Sequence, residues 1–279
     1  MFKAKGKVFA AVAAFILGFA GCAAASNIKI NGSTTVLPFA QIAVERFMAA
    51  QPEVGISISG GGSGNGIKAL IDGNTDIANS SREVRKSEIE QGEANGVKIH
   101  ETAVAIDCIV VMIHPSNTVT NLTFEQLKQI YTGQVTNWKE VGGPDSPIAV
   151  VGRDSSSGTY GTWQEMVVEK GDGETKSRVT ARAQVVASSG AMLSTIAGNR
   201  FAIGYDGIGY VDATVKSVGV EGVEPSAAAA KDGSYPLSRK LYMYTDGEPA
   251  GNVKAFIDYL LSPDGQKIVS ETGFIAITQ

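Results

Sequence analysis

Gly152-Arg153-Asp154-Ser155-Ser156-Ser157-Gly158-Thr159-Tyr160-Gly161-Thr162 follows the apolar run 148–151 and precedes a helical pattern carried by Trp163, Met166 and Val167. A strand, a Ser/Gly turn and a helix start gather free backbone N–H groups and short hydroxyls in one place. The first N–H groups of a helix lack intrahelical partners, and its dipole favours negative charge there, so this anatomy suits an anion. Arg153 adds a planar guanidinium able to grip an oxyanion with two hydrogen bonds. Taken alone, such a turn reads equally well as a Ser N-cap on a surface loop. The rest of the chain decides.

Outward from this stretch, the same chemistry recurs. Asn31-Gly32-Ser33-Thr34-Thr35 follows the alternating Ile28-Lys29-Ile30 and runs into Val36, Leu37, Phe39, Ala40, Ile42, Ala43 and Phe47, spaced near the helical period. Pro38 fits the first turn of that helix. Gly60-Gly61-Gly62-Ser63-Gly64-Asn65-Gly66 links the strand-like 55–59 to the helical 67–71, and its glycines let a ligand approach the backbone. Ile67-Lys68-Ala69 after the last glycine excludes a Walker P-loop. Asn79-Ser80-Ser81-Arg82 ends a short strand with hydroxyls and a base. In open α/β sheets ligands lie beyond the carboxyl ends of strands. Three such turns aimed at one spot form a cage of neutral donors for a small oxyanion. Asp107 interrupts the apolar run 103–113, where a carboxylate is costly unless it is paired or used.

Strand and helix patterns alternate through 185–190, 191–197, 202–205, 240–245, 253–261 and 265–271, which gives an α/β class with largely parallel sheets. With 279 residues, 43% hydrophobic and 19% charged, the chain can build one large or two medium cores, and disordered and fibrous classes drop out. Residues 1–25 read as a signal or lipoprotein leader: Lys3, Lys5 and Lys7, an apolar run 8–19, and a small-residue end. Ala20-Gly21-Cys22 resembles a bacterial lipoprotein box with Cys22 as the lipid anchor, the favoured exit. Ala23-Ala24-Ala25 offers a plain cleavage site before Ser26. Either exit places the mature protein outside the cytoplasmic membrane, in the periplasm or on that membrane's outer face. Without the leader, 21 basic residues face 28 acidic ones, which argues against nucleic acid as a partner. Cys108 is then the remaining cysteine, read as a small buried hydrophobe, and His100 and His114 lack metal-type spacing. No metal and no cofactor are expected.

The ordered set Gly32-Ser33-Thr34-Thr35, Gly61-Gly62-Ser63-Gly64-Asn65-Gly66, Asp76-Ile77, Ser80-Ser81-Arg82, Ala105-Ile106-Asp107, Asn137-Trp138, Arg153 with Ser157-Gly158-Thr159, and Tyr235-Pro236-Leu237-Ser238-Arg239 resembles the phosphate-binding subunit of bacterial phosphate ABC transporters. The resemblance covers nearly all the chain past the leader. It implies a two-lobed periplasmic binding protein fold of type II, each lobe a mainly parallel sheet flanked by helices, joined by a hinge of crossing strands. Lobe 1 would comprise 26–106 plus 240–279, and lobe 2 would comprise 107–239. Carried over residue by residue, the phosphate ligands would be Ser33, Thr34, Thr35, Ser63, Gly64, Ser81, Arg82, Asp107, Arg153, Ser157, Gly158 and Thr159. Where Ser81 stands some members have an Asp that accepts the ligand's proton, and Asp107 is the candidate for that role here. Where some members restrain the arginine with an acid two residues on, this chain has Ser155, with Asp154 one earlier.

The implied function is capture of inorganic phosphate between the lobes by a monomer that delivers it to the permease subunits of an ABC transporter. Phosphate keeps a proton at neutral pH and sulfate does not, so an acceptor-only carboxylate would favour phosphate. The alternatives are a receptor for another tetrahedral oxyanion, such as sulfate or arsenate, and a secreted phosphatase using the same cage. The second needs a nucleophile with a base or a paired metal cluster. No His-rich or paired-carboxylate pattern accompanies Thr34 or Ser157, so an enzyme is not expected.

Overall fold

The computed structural model describes residues 26–277. The leader expected over 1–25, with Cys22, lies outside them. The chain begins β1 (Ser26–Gly32), α1 (Leu37–Ala50), β2 (Val54–Gly60), α2 (Ser63–Ile71), β3 (Ile77–Ser80), α3 (Lys86–Ala94) and the long β4 (Ile99–Ile113). It continues through β5 (Asn121–Leu122), α4 (Phe124–Thr132), β6 (Ala149–Arg153), α5 (Gly158–Trp163), β7 (Gln184–Val186), α6 (Ser189–Gly198), β8 (Ala202–Gly207) and β9 (Lys216–Val220). The last elements are α7 (Ala227–Lys231), β10 (Ser238–Asp246), α8 (Gly251–Leu261) and α9 (Pro263–Glu271).

The strand order is β2-β1-β3-β10-β4-β8-β6-β7. β1 pairs in parallel with β2 and β3, and β6 pairs in parallel with β7 and β8. Antiparallel pairing is carried by β4 and β10, which pair with each other and connect the two parallel sets through β3 and β8. This is the expected α/β architecture of two mainly parallel sheets linked by crossing strands.

Two large cores flank the crossing. One gathers Ile28, Ile30, Phe39, Phe47 and Ile77 with Leu241, Met243, Phe256, Leu260 and Phe274. The other gathers Leu127, Tyr131, Trp138, Val151, Trp163, Ile196, Ile203 and Tyr205. β4 feeds both: Val104 and Ala105 enter the first and residues 108–113 the second. Asp107 sits at the handover between them and is fully buried. Cys108 follows in the second core as a free thiol, pushed up to about 11 by burial.

Local chemistry sets the element ends. Thr123 caps α4 by accepting from Gln126 N–H, while the Gln126 side chain accepts from Thr123 N–H, and Gly133 closes the helix in the left-handed conformation. Trp163 stacks on Tyr205 at 4.2 Å and meets Tyr131 edge-on at 4.9 Å, contacts worth about 0.5–1.5 kcal/mol each beyond their buried area. That stack locks the end of α5 against β8. Among the described residues no helix is long and apolar enough to cross a membrane, and no group of His, Cys, Asp and Glu could hold a metal ion.

Candidate functional site

The strand-to-helix turns after β1, β2 and β6 meet where the two cores face each other. α2 starts directly at Ser63 because Gly62, at φ 98°, turns the backbone where a side chain would collide with Ser156. Ser157 caps α5 by accepting from Tyr160 N–H. Gly62 N–H donates to Gly32 O at 2.9 Å, which ties the first two turns together. Gly64 N–H donates to Ser156 O at 2.9 Å, which ties the second turn to the third.

A chain of hydroxyls runs through this junction. Thr35 Oγ1 lies 3.0 Å from Thr159 Oγ1, Thr159 Oγ1 lies 3.4 Å from Ser81 Oγ, and Ser81 Oγ lies 3.3 Å from Ser63 Oγ. Beside it, Thr34 Oγ1 lies 3.1 Å from Ser189 Oγ, and Tyr210 O–H donates to Thr34 O at 2.7 Å. All six of these Ser and Thr residues are buried. The junction is closely fitted: a Cβ on Gly158 would collide with Ser63 Oγ and come within 2.6 Å of Ser81 Oγ. One on Gly207 would come within 3.0 Å of both Asp107 carboxylate oxygens and within 2.8 Å of a Thr35 methyl.

Two buried ion pairs bracket the hydroxyls. Arg153 Nη1 donates to Asp206 Oδ2 at 2.8 Å and to Ser189 Oγ at 3.1 Å, and Nη2 donates to Thr34 Oγ1 at 2.9 Å. Asp206 Oδ1 accepts from Ser189 O–H and from Gly207 N–H, so its charge is well solvated by protein donors. Arg153 Nε is buried and has no hydrogen-bond partner. On the other side, Arg239 Nε and Nη2 donate to Asp107 Oδ2 at 2.9 and 2.8 Å, while Ile208 N–H donates to Oδ1. Burial pushes the Asp107 carboxyl up, and the Arg239 guanidinium works against that rise. Arg239 also reaches Ser81 O and Thr159 Oγ1, each at 3.0 Å. Two guanidinium and two carboxylate groups leave this centre with no net side-chain charge.

Of the residues expected from the sequence, Thr34, Thr35, Ser63, Ser81, Asp107, Arg153, Gly158 and Thr159 come together here. Others have different partners. The Ser33 hydroxyl accepts from Thr35 N–H, the Ser157 hydroxyl caps α5, and the Gly64 N–H is taken by Ser156 O. Arg82 turns away to Glu88, with Nη1 and Nη2 at 2.8 and 2.7 Å from its carboxylate oxygens. Burial alone raises Glu88, but the bonds from Arg82 and Arg85 hold its carboxyl below the usual range. A cavity of about 500 Å³ lined by Arg82, Glu83, Arg85, Glu165, Arg239 and Lys240 includes none of the cluster's Ser and Thr residues in its wall.

Asp206, Ser189, Tyr210 and Arg239 were not among the expected site residues. The acid that restrains Arg153 is Asp206, not a neighbour in the turn. Asp154 instead organises its own turn, accepting from Ser156 N–H at 2.9 Å and from the Ser156 hydroxyl. The available signals were slight: Asp206 ends a short strand with a Gly-rich exit, and Ser189 starts a helix as many serines do.

A family model described as a PBP superfamily domain matches residues 20–264. The phosphate-binding protein PstS of Bacillus subtilis is 34% identical over 91% of this chain and 82% of its own length. Among solved structures, a phosphate ABC transporter substrate-binding protein with bound phosphate from Clostridium perfringens is 37% identical. It covers 91% of this chain and all of that one, with a TM-score of 0.82. An ABC-type phosphate transport receptor from Vibrio cholerae is 35% identical over 89% of this chain and 99% of its own, with a TM-score of 0.73.

Proposed function

The chain belongs to the PstS family of phosphate-binding proteins, and from that premise we propose that it captures inorganic phosphate between its two cores for delivery to an ABC permease. The observation that carries this reading is the buried hydroxyl chain of Thr35, Thr159, Ser81 and Ser63, which draws on both sides of the molecule. Hydroxyls rotate to donate, so a tetrahedral oxyanion among them can draw several hydrogen bonds without any net cationic charge. Arg153 Nε supplies a further buried donor. Thr34, Thr35, Ser63, Ser81, Arg153 and Thr159, with the backbone at Gly158, form the proposed ligand set. Ser33, Gly64, Arg82 and Ser157 brace the turns that present it. Asp107, with one carboxylate oxygen carrying a single donor, is the proposed acceptor for the proton that phosphate retains and sulfate lacks.

In this reading the lobes are 26–106 with 240–279 and 107–239, opening and closing about β4 and β10. The protein works as a monomer outside the cytoplasmic membrane, held there by lipid if Cys22 is modified. It binds and releases without turnover. Neither histidine bonds to a cluster hydroxyl: His114 contacts Ser116 and His100 contacts Glu248. Calorimetric titration of phosphate-stripped protein is the deciding measurement. One-to-one phosphate binding with sulfate much weaker is expected; no phosphate binding rejects the receptor reading, and equal affinities replace it with a general receptor for tetrahedral oxyanions. Steady hydrolysis of a chromogenic phosphoester would replace the receptor with the phosphatase.

A further inference from the structure

We propose that Arg239, on the crossing strand β10, is a second guanidinium ligand of the bound anion and the one that connects the site to the hinge. This deepens the phosphate reading and rests on it. Arg239 stands directly opposite Asp107 in the β10–β4 register, so the pair is built into the two strands that link the cores. Its side chain is 6% exposed. Asp107 alone would need only one or two of its donors. Nη1 goes instead to Ser81 O, and Nη2 is shared between Asp107 Oδ2 and Thr159 Oγ1.

The Thr159 oxygen is the telling partner. It lies within reach of Thr35, Ser81 and Arg239 at once, at 3.0, 3.4 and 3.0 Å. A hydroxyl has one proton to give and two lone pairs to offer, so these three neighbours take up all it has. A tetrahedral oxyanion beside Thr159 offers these same donors charged acceptors, which bind them more strongly than a neutral hydroxyl does. The hydroxyl protons turn to the anion, and the Nη2 donor shared with Thr159 turns with them. Arg153 is arranged alike, paired with Asp206 and donating to Thr34 Oγ1 and Ser189 Oγ. The two guanidinium groups therefore approach the hydroxyls as a pair, each oriented by its own aspartate. Arg239 differs in reaching, from β10, both the strand end at Ser81 and the helix start at Thr159. Through it, the anion bonds to the hinge strands as well as to the turns.

The competing role is purely structural: Arg239 could serve only to neutralise Asp107. Phosphate titrations of Asp107→Asn and of the double variant Asp107→Asn/Arg239→Gln separate the two. In the first variant the buried carboxylate charge is already gone, so neutralising it no longer matters. A ligand role predicts a further loss of about ten- to a hundredfold on adding Arg239→Gln, the worth of one charge-assisted bond. Equal affinity in the two variants overturns the proposal. Arg239→Lys checks the result in a fold that keeps a cation beside Asp107. Its melting temperature without phosphate stays within a few degrees of the parent, and its phosphate affinity falls at least about tenfold, because an ammonium on Asp107 lacks the second arm. Parental affinity in this variant also overturns the proposal. Parent protein that binds no phosphate removes the receptor reading and this inference together.

Discussion

Thr35 Oγ1 and Thr159 Oγ1 are 3.0 Å apart, although 124 residues separate them in sequence and each follows a different parallel strand. The contact fixes where the two halves meet. A hydroxyl is lost without loss of shape in Thr159→Val, which leaves the buried Arg239 Nη2 short of an acceptor and is expected to weaken phosphate binding about tenfold and lower the melting temperature by several degrees. Calorimetry with a parallel melting curve checks both numbers. Undiminished affinity would remove Thr159 from the ligand set.

Gly158 offers a steric test at the same place. Alanine is the better helix former, yet its methyl would press on Ser63 Oγ and Ser81 Oγ. Gly158→Ala should therefore keep the fold and lower phosphate affinity about ten- to a hundredfold. A variant that binds as the parent does would show that the anion sits elsewhere.

Asp206 solvates Arg153 from inside the protein, and both side chains are closed to water. Removing one charge of a buried pair leaves the other uncompensated, at about 3–5 kcal/mol. Asp206→Asn is expected to lower the melting temperature by roughly 10 °C, and to weaken phosphate binding because Arg153 loses its orientation. Asp154→Asn, which disturbs only the Ser156 turn, serves as the control with a smaller loss of binding. If the two variants melt alike, Asp206 does not have the role assigned to it.

The acid limb of stability has a specific contributor on the second core. The Lys128 side chain, followed by Ser177 N–H, holds the Asp172 carboxyl down at about 2. Its folded value lies below its unfolded value, so the unfolded chain binds the extra proton and stability falls as the pH drops through this range. The contribution is complete above about pH 5 and is lost towards pH 2. Asp172→Asn should lower stability near neutrality and flatten its dependence on pH between these limits, as read by denaturant melts. An unchanged acid slope would assign the effect to other carboxylates.

Asp107 carries the selectivity prediction. Asp107→Asn should narrow the preference for phosphate over sulfate, since an amide can donate to a fully deprotonated oxyanion. Titration with both anions measures the ratio. An unchanged ratio moves the proton-reading role to another group.

Much of this arrangement was legible in the sequence because it is local. A Ser/Thr/Gly turn between a strand and a helix announces itself, so Thr34, Thr35, Ser63 and Thr159 could be found one turn at a time. Asp107 was visible as an anomaly within an apolar run. What escaped was pairwise and distant: Arg153 with Asp206, 53 positions apart, and Arg239 with Asp107, 132 apart. Asp206 after its short strand and Arg239 at the end of its motif show no partner in sequence until the strand order brings each pair together. The same blindness explains Arg82. Next to Ser81 it looked like part of the anion grip, whereas Glu88, one helical turn into α3, captures it. Short-range spacing reveals donors at a turn, while the pairing of buried charges is a property of topology.

The half that opens the chain is also the half that closes it. Leu241, Met243, Phe256, Leu260 and Phe274 complete the same interior as Ile28, Phe39 and Phe47. Residues 28–47 therefore lack one wall of their interior until residues 241–274 fold back onto them, so the two stretches stand or fall together.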